Sequence, residues 1–321
     1  MVRWGLLSTA KINDLLLAGI AETQDARAAA VASRDADRAR AYAAQHGLER
    51  AHGSYEALLA DEEVDAVYIS LPNSMHHEWT VKALAAGKHV LCEKPYSRHP
   101  AEVEQAFDLA AARRLVLMEA FMYRHNPQTR KLEELVSGGE LGRLRLIRAS
   151  FRIRVGPDNV RMQRGLDGGG LMDVGCYCVS ASRLLAGEPE RAYAEQVTGG
   201  DGVDVALAGE LRFPDGVIAS IDCGLSLPGH SALEVVGEDA WLHIADPWHA
   251  GGPGIELRRR DGSTEVIVPE RANAYALEVA NMCAAIREDA KPLLGRDDAL
   301  GQARTIAALY MAAGGGQAVT L

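Results

Sequence analysis

The sequence predicts an α/β protein with two parts: a doubly wound parallel sheet, then an α+β domain with an open, largely antiparallel sheet. Through residue 120, short apolar runs alternate with helical patterns of about ten to fifteen residues, as expected for parallel strands joined by crossover helices. After residue 120, strand patterns follow one another with little helix between them. A chain of 321 residues suits two domains, which we place at 1–120 and 121–321.

Composition limits the class of protein. Hydrophobic residues make up 48% and charged residues 24%, which favours packed cores over disorder. The net charge of −10, with no long basic run, disfavours a nucleic-acid partner. No signal peptide and no apolar stretch of membrane-spanning length is recognisable, so we expect a cytoplasmic protein without membrane contact. The 5 scattered cysteines predict buried, reduced thiols and no metal site.

The first half supplies the parallel sheet. Strands are predicted at 2–7, 28–32, 65–71, 88–92 and 115–118. Helical patterns lie between them, at 12–20, 35–46, 75–86 and 100–113. Gly47 and Gly87 close two of these helices. This order predicts a Rossmann sheet with helices on both faces.

The second half begins with a helix that Asn126 caps, with Pro127 at its first position and Gly138 at its end. A long alternating strand follows at 144–154, and a helix is predicted at 171–185. Further strands are predicted at 191–198, 204–213, 217–223, 231–236, 240–245, 255–259 and 264–268. Pro214 and Gly216 form a tight hairpin turn, and helix returns from Asn273. This pattern predicts an open antiparallel sheet.

The turn after the first strand is a candidate for binding the pyrophosphate of a dinucleotide, because a helix N-terminus offers unpaired N–H groups. The usual GxGxxG pattern is absent, and Ser8, Ala10 and Asn13 stand in its three positions. Small side chains still allow close approach, and Ser8 and Thr9 can donate hydrogen bonds. A plain strand–helix turn explains these residues equally well.

The end of the second strand indicates which dinucleotide is bound. NAD sites usually carry Asp or Glu there, whereas this chain has Ser33 and Arg34, with Arg38 one turn later. A hydroxyl and two guanidinium groups suit the 2′-phosphate of NADP. In the alternative interpretation, Asp35 caps the helix and both arginines are solvated. Asp35 also keeps NAD use open.

Three residues could perform acid/base chemistry. Lys94 follows a predicted strand, where ligands of such sheets bind, and Asp173 and Tyr177 are four residues apart on one predicted helix. A phenol could exchange the proton of a hydroxyl group while hydride moves, and a nearby ammonium would favour the phenolate. Each residue also has an ordinary alternative: a solvated lysine, a helix-capping aspartate and a core tyrosine.

Five segments carry a resemblance to a known family: GLLSTAKIN, DAVYISLPNSMHHEW, GKHVLCEKP, MEAFMYRHNP and GGGLMDVGCYCV. In order and spacing they resemble the glucose–fructose oxidoreductase/inositol dehydrogenase (Gfo/Idh/MocA) family over nearly the whole chain. They look most like its NADP-dependent xylose dehydrogenases and dimeric dihydrodiol dehydrogenases. The resemblance implies that Lys94 and Tyr177 act at the reacting carbon, with Asp173 beside them.

The resemblance also implies a larger set of site residues. With the residues of the first turn and of the end of the second strand included, the cofactor-binding set comprises Ser8, Thr9, Ala10, Ile12, Ser33, Arg34, Arg38, Leu71, Pro72, Asn73, His76, Glu93, Lys94 and Glu119. The implied substrate-binding set is Lys94, Tyr123, Arg124, Asp173 and Tyr177, with Arg161 and Tyr275 at positions that often contact cofactor or substrate. Other NADP-using members resemble this chain in lacking the glycine pattern.

We therefore expect an NADP(H)-dependent oxidoreductase acting on a hydroxyl-bearing carbon of a sugar or cyclic diol, of the aldose 1-dehydrogenase or dihydrodiol dehydrogenase type. Three alternatives stay open: reduction of a keto-sugar, as in anhydrofructose reduction, a non-catalytic dinucleotide sensor, and redox-assisted glycoside hydrolysis. The open sheet predicts a homodimer or homotetramer. Arg148, Arg152 and Arg154 share one face of the long strand, where we expect solvent or a subunit contact.

Overall fold

The computed structural model describes all residues from 1 to 321. The chain folds into two compact units. The first unit comprises residues 1–125 and 273–300, and the second comprises 126–272 and 301–321. No helix combines the length and the apolar character needed to cross a membrane. No group of three or more His, Cys, Asp and Glu side chains is arranged to hold a metal ion.

The first unit contains a six-stranded parallel sheet in the order β3-β2-β1-β4-β5-β6. The strands are β1 Val2–Leu7, β2 Ala26–Ala32, β3 Arg50–His52, β4 Ala66–Ile69, β5 His89–Glu93 and β6 Leu117–Ala120. Every residue of β4 is buried, as expected for a parallel strand covered on both faces. The strand order reverses between β1 and β4, where Rossmann folds bind their ligands. The predicted Rossmann fold is confirmed.

The helices of the first unit are α1 Asn13–Ala21, α2 Ala36–His46, α3 Tyr55–Leu59, α4 His76–Ala85, α5 Pro100–Ala112 and, much later in the chain, α8 Ala274–Ile286. Gly47 ends α2 with a φ of 67°, a conformation that favours glycine. Helix α8 packs against α1 at Gly19, where an added Cβ would lie 2.7 Å from the Tyr275 carbonyl carbon. Glycine at this position therefore allows the two helices to approach closely.

The second unit contains a nine-stranded sheet in the order β14-β13-β12-β11-β7-β10-β9-β8-β15. The strands are β7 Leu144–Arg154, β8 Arg191–Thr198, β9 Asp204–Arg212, β10 Ile218–Gly224, β11 Ser226–Gly237, β12 Ala240–Ile244, β13 Ile255–Arg259, β14 Thr264–Ile267 and β15 Val319–Thr320. All neighbouring strands are antiparallel except β7 and β10, which are parallel. The expected open, largely antiparallel sheet is confirmed.

The helices of the second unit are α6 Pro127–Ser137, α7 Cys176–Ala186 and the part of α9 (Arg296–Gly315) from residue 301 on. Asn126 caps α6 as predicted, because its side chain accepts a hydrogen bond from the Gln128 N–H. The helix predicted at 171–185 needs a correction, because its first turn, Leu171–Gly175, is π-helical. Strands β3 and β15 and helix α3 were not predicted from the sequence.

Candidate active site

The turn between β1 and α1 is held by a buried hydrogen-bond network. The Ser8 and Ser70 hydroxyls lie 2.7 Å apart, and the Ser70 hydroxyl donates to Asn13 Oδ1 at 2.6 Å. Asn13 Nδ2 donates to the Ser8 carbonyl at 2.9 Å, and Ser8 Oγ accepts from the Ala10 N–H at 3.1 Å. Two of the three residues that replace the usual glycines thus bond to each other, and they fix the approach to the α1 N-terminus.

The end of β2 shows how Asp35 is used. Its Oδ1 accepts from the Asp37 and Arg38 N–H groups at 2.9 and 3.1 Å, which makes Asp35 the N-cap of α2. The Ser33 hydroxyl is buried and accepts from the Asp35 N–H at 3.2 Å. Arg34 and Arg38 are exposed. The helix cap of the alternative interpretation is therefore present, and the Asp35 carboxylate is directed toward the helix backbone.

His76 links two loops that follow neighbouring strands. Its imidazole lies 2.8 Å (Nε2) from the Leu71 carbonyl and 3.0 Å (Nδ1) from the Pro95 carbonyl, and the side chain is buried. Burial lowers the pKa of His76 to about 4, against the opposing effect of the two carbonyl groups. The neutral ring has one N–H and donates to one of these two carbonyl groups. It lies between the segment that begins Leu71-Pro72-Asn73 and the segment that contains Lys94.

Acidic side chains surround the end of β5. The buried Tyr68 hydroxyl donates a hydrogen bond to the Glu93 carboxylate, next in sequence to Lys94. Glu119, which is also buried, accepts from the Tyr96 N–H at 2.8 Å. The Lys94–Pro95 peptide bond is cis. Both predicted acidic residues thus support the Lys94 segment through bonds within the first unit.

Three further predicted residues of the first unit lie in helix α8 or in the turn Met122–His125. Tyr123 and Arg124 are buried there, and the Arg124 guanidinium forms an ion pair with Asp298 at 3.2 Å. Tyr275 lies at the start of α8. Burial and Glu93 raise the pKa of Tyr68, and Tyr275 adds a smaller effect in the same direction. Sequence analysis did not identify Tyr68 or Asp298, because their contacts join distant parts of the chain.

Tyr177 lies on α7 in the second unit, and aromatic rings hold its own ring. The Phe151 ring meets it edge-on with centroids 5.4 Å apart, and the Trp248 ring lies at 5.6 Å. Trp248 is fully buried, and its indole N–H donates to the Ser150 carbonyl at 3.3 Å. Tyr177 itself is 8% exposed. Phe151 was not predicted as a site residue, although the alternation of buried and exposed residues along β7 indicates that it faces inward.

Asp173 lies in the π-helical turn that precedes α7. Its carboxylate forms an ion pair with Arg161 Nε at 2.7 Å, and its side chain is only 12% exposed. The guanidinium of Arg161 thus balances the charge of the one acidic side chain in this turn. Arg161, which the resemblance had pointed to, therefore has a defined contact with a candidate catalytic residue.

The candidate catalytic residues are divided between the two units. Lys94 and the predicted cofactor-binding residues belong to the first, and Asp173 and Tyr177 belong to the second. The first unit has a Rossmann sheet with its turn at the switch point, and the second unit presents a phenol and a carboxylate on one helical segment. This combination is typical of NAD(P)-dependent oxidoreductases.

Comparison with known families identifies the protein more closely. Residues 2–121 match the model of the oxidoreductase family with an NAD-binding Rossmann fold, and residues 129–243 match the Gfo/Idh/MocA C-terminal domain. The chain belongs to the Gfo/Idh/MocA oxidoreductase family. The expected class of enzyme and a nicotinamide dinucleotide cofactor are thereby confirmed.

Several relatives align with most of the chain. It is 38% identical over 324 residues to the D-xylose 1-dehydrogenase (NADP(+)) 2 of Haloferax volcanii, with 99% of each chain covered. It is 33% identical to the trans-1,2-dihydrobenzene-1,2-diol dehydrogenase of Bos taurus, with 77% of this chain and 75% of the relative covered. The crystal structure of a 3-ketoreductase from Actinomadura kijaniata in complex with NADP and TDP-benzene superposes with a TM-score of 0.91, at 31% identity, over 97% of each chain.

Proposed function

We propose that this protein transfers a hydride between NADP and a hydroxyl-bearing carbon of a sugar or cyclic diol, as an aldose 1-dehydrogenase or dihydrodiol dehydrogenase. The observation that carries the proposal is the setting of Tyr177. Its ring packs against both Phe151 and Trp248, which also stack on each other, and Tyr177 follows by four residues a carboxylate paired with Arg161. The activities of the similar xylose and dihydrodiol dehydrogenases support the same chemistry.

Tyr177 acts as the acid/base in this proposal. In the oxidative direction its phenolate takes the proton of the substrate hydroxyl as the carbonyl forms, and in the reductive direction its phenol returns the proton. Lys94 contributes an ammonium that favours the phenolate. Asp173, restrained by Arg161, orients a substrate hydroxyl group. NADP, when bound, supplies the nicotinamide that accepts or donates the hydride.

The residues at the end of β2 fit NADP. Because Asp35 caps α2, its carboxylate is directed toward the helix backbone, and the exposed Arg34 and Arg38 are available to bind a 2′-phosphate. The α1 N-terminus suits the pyrophosphate, with Ser8 and Thr9 beside it. We propose the remaining implied cofactor contacts at Ala10, Ile12, Ser33, Leu71, Pro72, Asn73, His76, Glu93 and Glu119.

Substrate contacts are proposed at Lys94, Tyr123, Arg124, Asp173 and Tyr177. We propose cofactor binding by residues 1–120, and substrate binding with oligomerisation mainly by 121–321. The first compact unit extends beyond this expected boundary and also contains 121–125 and 273–300, so Lys94, Tyr123 and Arg124 are proposed substrate contacts of the first unit. A homodimer or homotetramer through the open sheet remains our proposal for the assembly. Arg148 forms an ion pair with Glu234, and Arg152 with Asp222 at 3.3 Å, so this sheet face is strongly polar.

Ketone reduction is the second candidate function. The same residues can run the reaction in reverse, because proton and hydride transfer to a carbonyl are the reverse of alcohol oxidation. The similarity to a 3-ketoreductase at a TM-score of 0.91 favours this candidate over a sensor or a glycosidase. The two directions differ in which form of the cofactor is consumed.

A substrate panel tests the proposal. Absorbance of the reduced nicotinamide would be followed with NADP⁺ and NAD⁺ across aldoses, inositols and cyclic diols, and with NADPH and keto-sugars for the reverse reaction. We expect turnover with one substrate class, lost in Tyr177→Phe and kept in Tyr193→Phe, a control at a partly exposed tyrosine of the second unit. Tight NADPH binding without turnover in either direction would instead indicate a sensor. Cofactor retained through purification and turned over internally would favour glycoside hydrolysis.

A further inference from the structure

Three glycines, at 168–170, precede the π-helical turn that carries Asp173. The middle one, Gly169, has a φ of 126°, which L side chains rarely adopt. A Cβ added to Gly169 would lie 2.1 Å from Asp204 Oδ1 and 3.0 Å from the Tyr310 hydroxyl. The absence of a side chain at Gly169 therefore allows a carboxylate from β9 to reach the start of the turn.

Asp204 is 3% exposed and makes two hydrogen bonds that join three elements of the second unit. Its Oδ2 accepts from the Leu171 N–H at 2.6 Å, and its Oδ1 accepts from the Tyr310 hydroxyl of α9 at 2.8 Å. Burying a carboxylate is costly unless hydrogen bonds compensate it, so the location of Asp204 needs a reason. Burial raises the pKa of Asp204 to about 6, so the group is ionised near pH 7.5 and both bonds are charge-assisted.

The turn has further contacts that fix its backbone. The Gly169 N–H donates to the Arg161 carbonyl at 2.9 Å, and the Asp173 N–H donates to the Gly169 carbonyl at 3.0 Å. At the other end, a Cβ on Gly175 would lie 2.7 Å from Cys223 Sγ, so the turn packs directly on β10. Asp204 therefore acts on a turn that begins at its own hydrogen-bonding partner, Leu171, and leads into the helix of Tyr177.

We infer that Asp204 is a positioning residue for the proposed reaction: by binding the Leu171 N–H it fixes the π-helical turn and with it the placement of Asp173 and Tyr177. This inference rests on the proposed function of those two residues. Asp204 contacts neither of them directly, and it acts through two residues of backbone to Asp173 and six to Tyr177. π-Helical turns of this kind are uncommon and occur often at functional sites. The bond from the Leu171 N–H to Asp204 restrains the first residue of this turn.

Two substitutions of Asp204 should have different effects on these hydrogen bonds. Asp204→Asn preserves the shape and both contacts, because the amide oxygen can accept from Leu171 N–H while the amide nitrogen donates to the Tyr310 oxygen. Asp204→Ala removes both bonds, and Tyr310→Phe removes one of them and leaves the bond to Leu171. Leu211→Ala serves as the control, because it truncates a fully buried side chain at the far end of the same strand, away from the turn.

Two measurements on the full-length protein test the inference. The first is amide hydrogen exchange of the segment 169–175 without cofactor, and the second is kcat per NADP-binding site, with the KM for NADP⁺. We expect Asp204→Ala to accelerate exchange at Leu171 about tenfold or more, since a lost hydrogen bond to a charged group corresponds to at least that factor. We expect its kcat to fall about 10- to 100-fold, because a displacement of about 1 Å has effects of that size.

The matched variants distinguish positioning from general stability. Asp204→Asn should keep slow exchange and a kcat within about threefold of the wild type, since its hydrogen bonds are retained. Leu211→Ala should lower the melting temperature and leave exchange in the turn and kcat per site unchanged. Tyr310→Phe should have a smaller effect than Asp204→Ala, and it tests the contact if the alanine variant does not fold.

Unchanged exchange in Asp204→Ala, or faster exchange with an unchanged kcat, would overturn the inference. Equal loss of kcat in Asp204→Ala and Leu211→Ala would do the same, because it would reduce the effect to stability. If the wild type turned over no substrate in either direction, the proposed function would fail, and the exchange measurement alone would decide whether Asp204 fixes the turn.

Discussion

Replacing His76 by glutamine tests whether burial controls the link between the two loops of the first unit. The imidazole lies between the Leu71 and Pro95 carbonyl groups and is buried. Two carbonyl neighbours favour an imidazolium, which can donate two hydrogen bonds, whereas burial favours the neutral ring. Burial is the larger effect and lowers the pKa of His76 from 6.5 to about 4.

The pKa determines a pH-dependent share of the stability. The shift of the His76 pKa from 6.5 in the unfolded chain to about 4 in the folded chain corresponds to about 3 kcal/mol of unfolding free energy. Above pH 6.5 the ring is neutral in both the folded and the unfolded chain, so proton binding by His76 does not lower the free energy of unfolding. Between pH 6.5 and pH 4 the unfolded chain binds a proton that the folded chain does not. The free energy of unfolding therefore falls as the pH falls through this range.

Urea unfolding at several pH values, followed by tryptophan fluorescence, measures this contribution as the difference between wild type and His76→Gln. We expect the difference to decrease by about 3 kcal/mol between pH 7 and pH 4. His230→Gln, at an exposed histidine, is the reference for replacing histidine by glutamine. A difference that increases toward pH 4 would refute the reasoning, because it would mean that the two carbonyl contacts outweigh burial.

Three further predictions follow from the sites described above. Replacing Arg34 and Arg38 together by alanine should raise the KM for NADP⁺ about 100-fold or more, with little effect on NAD⁺, since hydrogen bonds to charged groups contribute about 1.5–3 kcal/mol each and two are lost. An equal rise in initial-rate measurements with both cofactors, or the same rise in Arg40→Ala, would contradict it. Trp248→Leu should lower kcat about tenfold at an unchanged KM for NADP⁺, because the Tyr177 ring loses a packing partner; an unaltered kcat in steady-state assays would exclude that role. The stability difference between wild type and Asp204→Asn should fall by about 2 kcal/mol as the pH rises from 3.8 to 6, because the folded chain binds a proton there that the unfolded chain has released. Urea unfolding showing the opposite slope would exclude a raised pKa.

The periodic part of the fold could be predicted from the sequence. The alternation of strands and helices predicted the parallel sheet, and the bounds of β7 and β8 agree residue for residue with the prediction. Strands β3 and β15 have 3 and 2 residues, which is too short for a hydrophobic period to emerge. The π-helical turn has the same apolar spacing as an α-helix over five residues, so sequence periodicity could not distinguish them.

The sequence predicted which residues belong to the site, but it did not predict which groups those residues contact. Sequence motifs identified His76, Asp173 and Tyr177, and the structure adds the carbonyl groups, the guanidinium and the aromatic rings that hold them. Pro95, Phe151 and Trp248 lie at least 19 residues along the chain from the side chains they contact, and Asp204 lies 33 residues from Leu171. A single sequence carries no signal of such pairing. Three consecutive glycines were the local sign that another group approaches the backbone closely.

Isotope transfer tests the central claim most directly. The best substrate from the panel would be deuterated at the carbon that bears the reacting hydroxyl group, and the label would be followed by mass spectrometry of the reduced cofactor. We expect the deuterium to appear on the nicotinamide of NADPH, with slower turnover of the deuterated substrate whenever hydride transfer limits the rate. Deuterium released into water while the reduced cofactor stays unlabelled would contradict hydride transfer from that carbon.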